Sequence, residues 1–328
     1  MPHATTDDGV RLYYEETGSG TPVIFVHEFA GDLRSWEPQM RYFARSHRCI
    51  AYAARGYKPS DVPQDPKAYS YEIWISDALA VLDHLKIEKA HIVGLSMGGY
   101  LAVLFGARHP NRALSITAAG VGSGSERAHI DEFRKNAHET ADLFEKEGSA
   151  AVAKIYGMNA PRIPFLVKDP RGYQEFFDQF ASHDPKGSAN TLRGYQASRP
   201  SIYDFEKEIR GIKVPTLVMV GDEDEPCVEP SIYLKQWINT SGLVVFREFI
   251  IAQYRRQSPL VIYYYNYIFP FSFFLALVTV LTNYLIVLFK STFTSSTTTK
   301  SLNLPSFRLY LRFCSNFSLS QSVSFSKY

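Results

Sequence analysis

The apolar run His91-Ile92-Val93 passes into Gly94-Leu95-Ser96-Met97-Gly98-Gly99 and then into a helical stretch, Met97–Arg108. A serine flanked by glycines in a strand–turn–helix context constrains this chain more than any other feature in it. The small residues at 94 and 98 relieve crowding in a strained turn that lifts the Ser96 hydroxyl above the end of a strand. The same turn aims the first amides of the following helix at a developing negative charge. A buried strand below such a turn and a crossover helix behind it mean an α/β architecture.

The first 246 residues carry that pattern throughout, as short apolar runs alternate with amphipathic stretches. Strands are expected at Val10–Glu16, Pro22–Val26, Cys49–Ala53, His91–Val93, Ala113–Ala119, Val214–Val220 and Gly242–Phe246. Helices are expected at Trp36–Ala44, Ile73–Leu85 and Met97–Arg108. Pro22–Val26 is apolar throughout, as befits a strand buried on both faces. From about 122 to 205 the strand pattern disappears, and charged helical segments, Ala128–Glu147 and Arg171–Ser182, replace it. An insertion of that length exceeds an ordinary connection and reads as a helical lid or cap.

The composition changes after Phe246. Residues 1–246 carry 27 Lys and Arg against 32 Asp and Glu, and residues 247–328 carry eight against one, so the overall +2 describes neither part. Residues 260–289 hold no charge. Within them 271–289 is the best segment for a transmembrane helix, which needs about 20 apolar residues. Two readings of 247–328 stay open: a membrane anchor, or a non-native tail such as a retained intron or a shifted frame, fused to a domain cut short at its C-terminus. Eight scattered basic residues form no nucleic-acid patch. Three cysteines, Cys49, Cys227 and Cys314, give neither a disulfide framework nor a zinc site. The opening MPHATTDDGV has no secretory signal, so a cytoplasmic domain is expected.

Residues 8–246 resemble the α/β-hydrolase fold family, specifically its capped, esterase- and haloperoxidase-like members. The motifs stand in family order: His27-Glu28-Phe29-Ala30-Gly31 after the first buried strand, Arg55-Gly56-Tyr57-Lys58-Pro59-Ser60-Asp61 after the next, the serine turn, and Gly221-Asp222-Glu223-Asp224 at a later strand end. The resemblance implies a mostly parallel sheet with a helical cap insertion. It implies Ser96 as nucleophile, the backbone N–H groups of Phe29 and Met97 as oxyanion hole, and Asp224 as the carboxylate that orients a histidine. It also implies no cofactor, no metal, and a small ester or related carbonyl substrate. Asp222, Glu223 and Glu225 are then a solvated acidic loop, and Arg55 is structural.

Two departures matter. Glu28 stands where the family usually has glycine, and its carboxylate would disfavour an oxyanion if it points inward. The second concerns the base. All nine histidines (His3, His27, His47, His84, His91, His109, His129, His138 and His183) precede Asp224, whereas the family places its catalytic histidine after the acid. His27 belongs to the oxyanion loop and is structural by the resemblance, while His129, His138 and His183 fall in the cap and are expected at its surface. No residue is therefore assigned as catalytic histidine. Two functions stay open: a serine hydrolase impaired by loss of its base, and a non-catalytic, membrane-tethered binding protein that keeps the pocket.

Overall fold

The computed structural model describes residues 1–159 and 162–247. The expected transmembrane segment 271–289 lies outside the described residues. Among the described residues no helix is long and apolar enough to cross a membrane.

Eight strands form one sheet: β1 (His3–Thr5), β2 (Arg11–Thr17), β3 (Thr21–Val26), β4 (His47–Tyr52), β5 (Ala90–Leu95), β6 (Ala113–Ala119), β7 (Thr216–Gly221) and β8 (Ser241–Phe246). Their order is β1-β2-β4-β3-β5-β6-β7-β8. The β1–β2 and β2–β4 pairs are antiparallel, and every pair from β4 through β8 is parallel. All seven expected strands are present, with ends moved by a few residues. The short β1 carries no sequence pattern that would announce it.

Three helices connect the first strands: α1 (Glu37–Phe43), α2 (Tyr71–His84) and α3 (Met97–Arg108). The Ser70 hydroxyl accepts from the Ile73 amide at 3.2 Å and so caps the first turn of α2. Where a helix from Trp36 was expected, residues Leu33–Trp36 form a tighter 3₁₀ turn, because Asp32 caps that turn and Pro38 opens α1. Between β6 and β7 the described residues hold no strand, and their α-helices are α4 (Ile130–Glu147), α5 (Ser149–Gly157), α6 (Ile163–Lys168), α7 (Pro170–Ala181), α8 (Pro185–Thr191) and α9 (Glu206–Arg210). One helix, α10 (Glu225–Trp237), follows β7.

Burial follows the layers. Val23 to Val26 of β3 and all of β7 are buried, as parallel strands covered on both faces must be. The edge strand β8 differs, since Leu243 and Val244 are half-buried and Val245 is 51% exposed. Behind β4, Arg55 is buried and donates to Asp77 at 2.8 and 2.6 Å, to Asp8 at 2.7 and 3.1 Å and to the Ala68 carbonyl at 2.9 Å. That network ties the loop after β4 to α2 and to the chain's start.

The strand order also places the site. The chain leaves β3 for β4 on one side, and β5 lies on the other side of β3. At such a reversal the loops leaving the two carboxyl ends diverge and open a crevice. Here those loops begin at His27 and at Ser96.

Candidate active site

Ser96 sits at φ +53° and ψ −111°, a conformation side chains rarely adopt, and α3 starts at the next residue. Tertiary contacts hold this strain in place. The Ser96 amide donates to the Ala119 carbonyl at 2.8 Å, and its carbonyl accepts from the Tyr100 amide at 2.9 Å. The turn closes only because its neighbours lack side chains. A Cβ on Gly94 would lie 2.0 Å from the Gly98 carbonyl oxygen, and one on Gly98 would lie 2.2 Å from the Val26 carbonyl oxygen.

Across the crevice the loop after β3 is fixed by His27, which is fully buried. Its Nε2 accepts from the Ala54 amide at 3.1 Å, so its Nδ1 carries the proton and donates to the Glu28 carbonyl at 2.8 Å. Burial lowers the imidazole to about 4, which keeps it in this neutral tautomer. Since the Glu28 carbonyl and the Phe29 N–H share one peptide plane, His27 orients the Phe29 amide. Tyrosine hydroxyls pin the adjoining carbonyls, Tyr57 donating to Phe29 at 2.9 Å and Tyr195 to Met97 at 2.8 Å. Neither the Phe29 amide nor the Met97 amide donates to another group among the described residues.

Glu28 does point inward. It is buried and lines the same cavity as Ser96 and Phe29. Its charge is answered by buried Arg162, whose Nη2 lies 3.0 Å from Glu28 Oε2. The Arg162 guanidinium also lies over the Phe176 and Tyr156 rings, at 4.9 and 5.2 Å. Sequence reasoning misses this arginine, since the contact spans 134 positions and no local pattern announces it.

Of the acids after β7, Asp222, Glu223 and Glu225 are exposed and Asp224 is buried. Burial pushes the Asp224 carboxyl up to about 6; Arg162 and a hydrogen bond with Cys227 act against the rise, and Glu28 adds to it. Asp224 Oδ2 has no hydrogen-bond partner among the described residues. An ionised carboxylate held this way is destabilising. Stability should therefore fall as pH rises from about 4 to about 6, the window in which the folded chain holds a proton that the unfolded chain has lost. Asp224→Asn removes the penalty. Its expected effect above pH 7 is a gain of about 2–3 kcal/mol, at 1.36 kcal/mol per pKa unit, with no gain near pH 4. Thermal melts at both pH values check this, and an equal shift at the two would contradict it.

Among the described residues no histidine lines the cavity that Ser96 lines. His109 follows the end of α3, opposite Ser96, and His91 bonds to Ser115 at 2.8 Å. His129 and His138 are exposed, as expected. His183 is not at the surface: it is 7% exposed, with Nε2 3.4 Å from Asp32 Oδ2 and its ring edge-on to Tyr57 and Phe180. The buried Asp32 carboxylate is paired with Arg34, and His183 adds a second partner where the helical segment packs on the loop after β3.

A cavity of about 220 Å³ opens beside Ser96, and Glu28, Phe29, Phe133, Gln196 and Arg199 are among the residues that line it. No group of three or more metal-ligating side chains occurs among the described residues.

A family model described as "alpha/beta hydrolase fold" matches residues 21–248. The AB hydrolase superfamily protein YisY of Bacillus subtilis is 29% identical over 252 residues, covering 74% of this chain and 88% of that protein. A non-heme haloperoxidase of Rhodococcus erythropolis is 28% identical, covering 69% of this chain and 82% of that protein. Among solved structures, a thermophilic esterase from Thermogutta terrifontis superposes with a TM-score of 0.69 at 26% identity, covering 79% of this chain and 94% of its own.

Proposed function

The chain belongs to the α/β-hydrolase fold family, and from that premise we propose that it is a serine hydrolase of small esters or related carbonyl compounds, impaired by the lack of a catalytic histidine. The observation that carries this reading is Ser96 held at φ +53° beside two undonated amides. Ser96 Oγ attacks the acyl carbon, and the Phe29 and Met97 amides stabilise the oxyanion. The helices between β6 and β7 act as a cap over the cavity. Asp224 is the carboxylate that would orient an imidazolium, which explains why it is buried with one oxygen unpartnered. Without a base the hydroxyl keeps its proton, but binding and the oxyanion hole alone can sustain about 10³–10⁴-fold catalysis over water.

Hydrolysis of p-nitrophenyl acetate tests this. Weak turnover that disappears in Ser96→Ala is expected, and turnover unchanged by that substitution would contradict the proposal.

The same unpartnered Asp224 favours a second reading, a non-catalytic protein that binds a ligand in this pocket. It requires ligand binding without Ser96-dependent turnover.

A further inference from the structure

Three arginines are buried among the described residues. Arg55 is held by Asp8 and Asp77, and Arg162 by Glu28. Arg199 is 7% exposed and has no carboxylate partner among the described residues. Its Nη2 donates to the Ser123 carbonyl at 2.6 Å, and its Nε has no partner. The guanidinium is fixed over the Tyr100 ring at 4.6 Å and the Phe133 ring at 5.6 Å. Ring faces offset part of the desolvation of a buried cation, but they supply no counter-charge. Three residues earlier, Gln196 is 8% exposed and its Oε1 has no partner either. Both side chains line the cavity that Ser96 lines. The carboxylate in that lining, Glu28, is matched by Arg162.

We propose that Arg199 is the anion-binding group of this cavity, which takes a short ester or lactone bearing a carboxylate. That carboxylate completes the Arg199 ion pair through the fork of Nε and an Nη, a geometry suited to planar, bidentate acceptors. Gln196 Oε1 accepts from a hydroxyl or amide on the same ligand. The size of the cavity limits the ligand, since about 220 Å³ falls below the ~300–1,000 Å³ of pockets for drug-sized molecules. The reacting carbonyl depends on the serine-hydrolase reading, whereas the anion subsite does not.

Calorimetric titration of the full chain with monomethyl succinate, beside its neutral isostere methyl succinamate, tests the proposal. The acid is expected to bind at least about tenfold more tightly than the amide. Arg199→Gln should abolish that preference, and Arg199→Lys should keep part of it. Equal affinity for acid and amide in the parent chain, or a preference that survives in Arg199→Gln, would overturn the subsite. If Arg199→Gln fails to fold by near-ultraviolet dichroism, the ratio in the parent chain and in Arg199→Lys decides. Turnover of p-nitrophenyl acetate separates the two claims. Anion preference without Ser96-dependent turnover retires the hydrolase reading and keeps the subsite, while turnover without anion preference removes the subsite alone.

Discussion

A chimera in which residues 247–328 give way to a histidine-bearing loop and a closing helix is expected to hydrolyse p-nitrophenyl acetate at least about 10³-fold faster than the parent chain. The size follows from what is already in place. On the proposed reading, the strained serine turn, the two undonated amides and the buried Asp224 need only a base between serine and acid. The order of β7 and β8 sets where that base must enter, since the chain leaves β8 beside the end of β7 from which Asp224 projects. The gain should vanish in a Ser96→Ala version of the chimera. A folded chimera no faster than its parent would count against Ser96 as nucleophile.

Arg162→Met is expected to destabilise the protein by about 3–5 kcal/mol at neutral pH, the usual cost of leaving a buried charge without its partner. Glu28 is 2% exposed, so once Arg162 is gone its carboxylate is a buried charge without that counter-ion. Arg162 also acts against the rise of the Asp224 carboxyl, and its loss should lift that group further. Adding Glu28→Gln should recover most of the lost stability, because the double variant buries no unmatched charge at that spot. Urea unfolding of the four chains in the cycle measures the coupling. Additive single effects would mean that the pair at 3.0 Å does not stabilise the fold.

What could be read along the chain was local. Pro22–Val26 and the apolar pair Ile92-Val93 announce β3 and β5 because strands buried on both faces are apolar where they are covered. Met97–Arg108 is α3 from end to end. The shorter helices α5, α6 and α8 were not legible, since six to nine residues hold too few turns for a helical period to stand out. Pro226 and Pro230 concealed α10. At the site, Ser96, Phe29, Met97 and Asp224 are carried by motifs, Asp224 by its place in Gly221-Asp222-Glu223-Asp224, and in the structure it alone of that loop's acids is buried. Arg162 and Arg199 could not be read, as each takes its meaning from contacts across 134 and 76 positions. His183 misled for the same reason: in sequence it stands in a charged helical stretch, and only the fold brings Asp32 to it.

The central claim is a poised nucleophile that lacks only its base, and fluorophosphonate labelling followed by intact-mass spectrometry tests it most directly. The full chain should form one adduct slowly, at Ser96, and faster when free imidazole is added to stand in for the missing side chain; Ser96→Ala should form none. An adduct that persists in Ser96→Ala, or no adduct in folded protein with or without imidazole, would contradict the account.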